Sequence, residues 1–286
     1  MIKNNLSVII PAYNEEGSIY DTISDIINFL EEKKINNEII VVDDGSTDNT
    51  KNELQKFNSV IKVIRNVERK GYGYSLLSGI SKAVYEYVAI IDADGTYSVH
   101  DLAILFSKIG GFDMIVGARI GENVHIPLLR KPAKWAISKL ANFLAGERIP
   151  DLNSGLRIIK KDLVLQFRRI LPRGFSFTTT ITLSFITNNY RVKYVPINYK
   201  KRVGVSKIKP LKDTLNFIQL VVRTIMYFSP LKIFVPLSFF LFLAFSIAVI
   251  IDIFVGNISD KTVLFFVSFL IILSFGCLAD MIDKRL

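Results

Sequence analysis

The chain has 286 residues, 50% hydrophobic and 22% charged, with a mean hydropathy of +0.35 and a formal net charge of +10. That composition excludes a disordered chain, and the single cysteine, Cys277, excludes an internal disulfide framework or a cysteine-built zinc site. Charge is split: residues 1–118 hold 11 Lys+Arg against 17 Asp+Glu and residues 119–232 hold 22 against 5, which suits one cationic or metal-bound partner and one anionic partner.

The chain begins with a short apolar run, Leu6 to Ala12, that meets Tyr13-Asn14-Glu15-Glu16 and reads as no signal peptide. Leu6–Ile10, Glu38–Val42, Ile61–Ile64, Tyr87–Ile91 and Asp113–Val116 read as strands rich in Val and Ile. Helical patterns lie between them, as in Ser18–Lys33, where Ile19, Ile23, Ile26, Ile27 and Leu30 share a face. Such alternation predicts an α/β fold, a mostly parallel sheet covered on both faces, with ligands beyond the carboxyl ends of the strands.

Polar clusters stand at those ends. The first strand runs into Pro11-Ala12-Tyr13-Asn14-Glu15, the second into Asp43-Asp44-Gly45-Ser46-Thr47-Asp48 and the fourth into Asp92-Ala93-Asp94-Gly95-Thr96. Ser46 and Asp48 alone would read as helix caps. Three clusters on one edge predict a site, in which Asp92 and Asp94 suit a hard cation, Mg²⁺ or Mn²⁺, together with substrate phosphates. Gly71-Tyr72-Gly73 lacks the third glycine of a dinucleotide fingerprint, and no Walker lysine motif is present. His100 and His125 stand alone and read as structural.

Residues 119–232 carry the basic excess, including Arg130, Lys131, Lys134, Lys139, Lys160, Lys161, Arg168 and Arg169. No nucleic-acid motif accompanies them, so a membrane surface and a lipid phosphate are the expected partners, and nucleic acid is not. Residues 210–229 read as an interfacial amphipathic helix in which Leu215, Ile218, Val222, Ile225 and Met226 share a face. Ile233–Ile251 and Thr262–Ala279 are uncharged and long enough to cross about 30 Å of hydrocarbon, predicting spans near 231–255 and 262–280. The alternative, two buried core helices, requires a globular core built on helices apolar all round. The short connector Gly256–Lys261 makes a hairpin, and Arg223, Lys232, Lys284 and Arg285 at its open end place residues 1–209 in the cytoplasm.

Pro11–Glu16, Val42–Asp48 and Asp92-Ala93-Asp94 resemble the signature of family 2 glycosyltransferases of the GT-A fold. Gly117-Ala118-Arg119, Ser138 with Asn142, Asp151–Arg157 and Arg202–Lys207 are similar to the polyprenyl-phosphate branch typified by dolichol-phosphate mannose synthase. The resemblance implies a membrane-bound inverting enzyme that moves a sugar from a nucleotide-diphosphate sugar to a dolichyl or undecaprenyl phosphate. It implies that Pro11, Tyr13, Glu15 and Asp44 border the nucleotide, that Asp92 and Asp94 hold the metal on the diphosphate, and that Arg202 contacts that diphosphate. Arg119, Arg130, Lys134 and Ser138 would grip the lipid phosphate; the alternative for Arg119 is a plain ion pair with a neighbouring carboxylate. Thr96 stands where the family often has Gln, Lys134 where it has Arg, and Phe177-Thr178-Thr179-Thr180 where many members carry a Glu. Two other functions compete: a glycosyltransferase with a polysaccharide or glycolipid acceptor, and a non-catalytic nucleotide-binding scaffold. A homo-oligomer stays open.

Overall fold

The computed structural model describes residues 5–120, 139, 141–143, 145–174, 176–199 and 210–283, with residues 210–217 as backbone only. Seven strands form one sheet: β1 (Asn5–Ala12), β2 (Asn36–Asp43), β3 (Ile61–Arg65), β4 (Tyr87–Ile90), β5 (Met114–Ala118), β6 (Arg157–Lys160) and β7 (Val192–Pro196). Their order is β3-β2-β1-β4-β6-β5-β7. β1 is parallel to β2 and β4, β2 to β3 and β5 to β7, whereas β6 runs antiparallel to both its neighbours. The sheet is mostly parallel, as expected, and the first five strands fall where the apolar runs put them. β6 and β7 were not foreseen.

β1, β4, β5 and the second half of β2 are buried on both faces, which is why they read as nearly continuous apolar runs, whereas the edge strand β3 leaves Lys62, Val63 and Arg65 exposed. On one face Leu6, Val8 and Ile10 pack with Ile19, Ile23 and Ile26 of α1 (Ile19–Glu32) and with Leu102 and Leu105 of α4 (Val99–Phe106). On the other, Ile9, Ile40 and Val42 pack with Leu76 and Ile80 of α3 (Tyr72–Lys82) and with Phe177, Ile181 and Phe185 of a later helix. A short helix, α2 (Thr50–Gln55), joins β2 to β3, and α5 (Lys161–Gln166) follows β6.

That later helix, α6 (Phe177–Thr187), is buried from Phe177 to Ile186 although it carries five hydroxyls in that stretch. Thr180, Thr182 and Ser184 satisfy theirs by donating to the carbonyls of Ser176, Thr178 and Thr180 in their own helix. α7 (Pro210–Phe228) packs on α6, with Val221 and Ile225 against Leu183 and Ile186. The chain then enters α8 (Leu231–Val255) and α9 (Asp260–Asp283), which pack together as a hairpin. Only 6% and 11% of their most apolar stretches is buried within the protein, so these are not core helices. Both are long and apolar enough to cross a bilayer. Phe242 meets Phe269 and Phe245 meets Phe266 between them, and at the tip Asp252 Oδ2 accepts from Ser259 N (2.9 Å), Ser259 Oγ (3.3 Å) and Thr262 Oγ1 (2.5 Å).

The chain leaves β1 for β2 and β3 on one side and returns to β4 on the other. The resulting crevice lies beyond the carboxyl ends of β1 and β4. α3 lies close to the sheet beneath it at Gly79, where a Cβ would stand 2.6 Å from Ile9 Cγ2 and 3.2 Å from Val42 Cγ2. Gly79→Val should therefore destabilise the domain by about 1–3 kcal/mol, read as a lowered denaturant midpoint with the hairpin helicity unchanged.

Candidate active site

The loops after β1 and β2 are stitched together. Asn14 N donates to Ser46 Oγ (3.0 Å), Thr47 N to Asn14 Oδ1 (2.8 Å) and Glu15 N to Thr50 Oγ1 (2.9 Å). Ser46 therefore braces the neighbouring loop, whereas Asp48 does both jobs, accepting from Thr50 N and Glu16 N. Asp44 is buried and accepts from Asn66 Nδ2, Lys70 N and Gly71 N, each at 2.8 Å, which fixes the segment leading into α3. Tyr13 stays half-buried at the rim beside the buried Pro11 and Ala12, with the Arg69 guanidinium 4.2 Å over its ring.

Asp92 and Asp94 follow β4. Tyr72, the first residue of α3, donates its hydroxyl to Asp92 Oδ1 at 2.9 Å. Burial and the Asp92 charge push the Tyr72 phenol well above its ordinary pKa, so it remains a donor. Asp94 Oδ1 accepts from Thr96 Oγ1 (2.6 Å) and Thr96 N (3.2 Å). Thr96 thus orients Asp94. From the far side Gly155 presses on Asp92: a Cβ there would overlap Oδ2 and lie 2.9 Å from Cγ.

Gly155 comes within reach because β6 is antiparallel. Arg157 pairs with Ile90 and Val116, so the segment 151–156 arrives at the same edge as the ends of β1 and β4. Its first residue, Asp151, takes a fork from Arg119, with Nε to Oδ2 at 2.7 Å and Nη2 to Oδ1 at 2.9 Å, and Arg119 N adds a third bond at 3.0 Å. Arg119 therefore has a carboxylate partner. The fork leaves three guanidinium N–H donors for another ligand. Burial raises the Asp151 pKa, but the bonds and charge of Arg119 outweigh it and the carboxyl sits below its ordinary value. Arg119 also lies 5.1 Å over Tyr199, whose edge meets Tyr97, and Tyr97 Oη accepts from Gly155 N at 2.7 Å.

Arg157 is fully buried beneath this edge. It donates to Thr178 O (3.3 Å), Thr182 Oγ1 (3.2 Å), Met114 Sδ (3.7 Å) and Ser154 O, and no carboxylate pairs with it among the described residues. Tyr72, Thr96, Asp151 and Arg157 are the supporting residues to which the sequence assigned no role. Arg130, Lys134, Ser138 and Arg202, expected at the lipid phosphate and the diphosphate, lie outside the described residues, as does His125. His100 is exposed at the start of α4, where its N–H meets Ser98 Oγ.

Asp92 and Asp94 offer hard oxygens of the kind Mg²⁺ or Mn²⁺ takes together with substrate phosphates, so the donor set fits such an ion. Among the described residues no three carboxylate, His or Cys side chains gather as a cation site, so a phosphorylated ligand would have to complete the coordination.

Residues 7–167 match the model of glycosyl transferase family 2, more than half of the chain, and the protein belongs to that family. Residues 229–284 match a second model, the GtrB C-terminal hairpin, which covers α8 and α9. The low-salt glycan biosynthesis hexosyltransferase Agl6 of Haloferax volcanii is 29% identical over 218 residues, 74% of this chain and 52% of that protein; the chain thus spans about half of its length. The dolichyl-phosphate hexose transferase of the same organism is 28% identical over 72% of this chain and 88% of its own length. Among solved structures, a glucosyl-3-phosphoglycerate synthase of Mycobacterium tuberculosis, in complex with Mn²⁺, UDP-glucose and phosphoglyceric acid, shares the fold with a TM-score of 0.60. It is 18% identical, over 77% of this chain and 79% of that one.

The Asp151 carboxylate, held low, contributes stability that is present above the ordinary carboxyl pKa of about 4 and is lost as pH falls through the folded value. Asp151→Asn should cost about 3 kcal/mol at pH 7, and the gap to wild type should narrow below about pH 4, followed by urea titrations across that range.

Proposed function

We propose that the protein is a metal-dependent inverting glycosyltransferase that moves a sugar from a nucleotide-diphosphate sugar to a polyprenyl phosphate at the cytoplasmic leaflet. The observation that carries this reading is the meeting of Asp92 and Asp94 with Arg119 at one sheet edge, in a chain that ends in an apolar hairpin. The acceptor class is supported by the name of the dolichyl-phosphate hexose transferase, and the metal by the Mn²⁺ bound to the mycobacterial neighbour.

Asp92 and Asp94 would hold Mg²⁺ or Mn²⁺, which would neutralise charge on the leaving diphosphate. Pro11, Tyr13, Glu15 and Asp44 border the nucleotide in this reading, with Arg202 on the diphosphate, while Arg119, Arg130, Lys134 and Ser138 hold the lipid phosphate. A phosphate monoester, with a second pKa near 6, is already largely a dianion at neutral pH and needs no general base. The task left to the protein is to bring two anions together in line, by positioning and by opposite charge.

Asp94→Ala in the full-length protein should lower transfer of a radiolabelled sugar to polyprenyl phosphate by about 10²-fold or more with Mn²⁺ present, while the protein stays folded by circular dichroism. Near-native turnover would remove the metal assignment. Topology is tested separately: single cysteines placed at position 259 and at the exposed position 108, with Cys277 replaced, should be labelled from outside and only after permeabilisation, respectively. The reverse pattern would overturn the cytoplasmic placement.

A further inference from the structure

The donor sugar needs partners of its own in the crevice, apart from those of the two phosphates. Resting on the proposed transfer reaction, its place in the crevice is bounded on two sides. The diphosphate belongs at Asp92 and the acceptor phosphate at Arg119, and the group being transferred lies between them. The segment 151–155 spans that interval, since Asp151 is forked by Arg119 and Gly155 packs on Asp92. Asn153 is its midpoint, and it is the one exposed residue from Asp151 to Arg157.

Its carboxamide is held in one orientation. The backbone N–H of Asn153 donates to Asp151 Oδ1 at 3.1 Å, which fixes the turn. Its side-chain Oδ1 accepts from the hydroxyl of Thr179, a fully buried residue of α6. Thr180, Thr182 and Ser184 spend their hydroxyls on their own helix, whereas Thr179 reaches across to the loop. With Oδ1 occupied on the buried side, the Nδ2 amino group is left on the open side of the amide, and it donates to no other described residue. Two N–H donors of a neutral amide suit a neutral acceptor, the oxygen of a sugar hydroxyl; the anionic ends of the substrates have a carboxylate-held metal and a guanidinium to meet them.

We propose that Asn153 reads a hydroxyl of the donor sugar, and that Thr179 is the positioning residue that aims it. A site built to bond a hydroxyl rejects the analogue that lacks it, because the amide donors are then left unpaired. Asn153 is on this view a determinant of which hexose is used.

The test uses the full-length protein in lipid nanodiscs and a panel of UDP-glucose, UDP-galactose, UDP-N-acetylglucosamine and GDP-mannose, with deoxy versions of whichever donor the wild type transfers. Asn153→Ala should lower kcat/KM for that donor about tenfold, with a small fall in the thermal midpoint from the Thr179 hydroxyl that loses its acceptor and with the affinity for the free nucleoside diphosphate within about twofold of wild type. One deoxy donor should be transferred equally by wild type and variant, which identifies the hydroxyl. Thr179→Val should give a smaller loss with the same deoxy pattern. The proposal is overturned if Asn153→Ala is neutral, if it weakens nucleoside diphosphate binding as much as transfer, or if every deoxy donor keeps its full penalty in the variant. A wild type that transfers none of the panel sugars to polyprenyl phosphate would instead sink the underlying reaction, and the role of Asn153 with it.

Discussion

Between Gly155 and Asp92 there is no room for a methyl group, and the arrangement of the crevice depends on that closeness. A segment that touches the carboxylate at one end is committed along its whole length. Asp151 must reach Arg119, Ser154 must offer its carbonyl to Arg157, and Gly155 must give its N–H to Tyr97. The reversal of β6 makes this geometry available. A parallel strand at that position would deliver its preceding loop to the opposite edge of the sheet, away from the ends of β1 and β4.

Much of this was legible from sequence, and the part that was not has a physical reason. β1, β4 and the second half of β2 are buried on both faces, so they read as apolar runs whose acidic ends stand out. β6 is four residues long, begins with Arg157 and ends with Lys160, and β7 contains Lys193 and Pro196; neither carries a strand pattern. The partners of the site residues are equally hidden, because Tyr72 meets Asp92 across 20 residues and Arg119 meets Asp151 across 32. Gly71 and Gly73, rejected as a dinucleotide fingerprint, have another cause. A Cβ at Gly73 would overlap the Pro172 carbonyl and one at Gly71 would lie 2.6 Å from the Arg173 carbonyl, so both serve close backbone approach. The row of hydroxyls in α6 gave no hint of a buried helix, because back-bonding to the helix hides their polarity only once the helix exists.

The hairpin and the sheet are joined by packing as well as by chain. Leu183 and Ile186 of α6 meet Val221 and Ile225 of α7, and Ile233 of α8 packs against the same cluster. α6 also carries Thr179 and the acceptors of Arg157, so one buried helix contacts the crevice on one side and the route to the apolar spans on the other. The two apolar helices are tied at their far end by Asp252, one oxygen of which gathers the N–H and hydroxyl of Ser259 in the connector and the hydroxyl of Thr262 in α9.

Arg157 is a cation sealed beneath an acidic edge, held by carbonyls, a hydroxyl and a thioether and by no carboxylate among the described residues. Exposed charges act through electrolyte, and at about 0.15 M ionic strength their influence fades over roughly 8 Å. A guanidinium with no solvent-exposed surface is shielded far less. Its field on the crevice therefore weakens less as salt is added than the attraction exerted by the exposed lysines and arginines of the same domain.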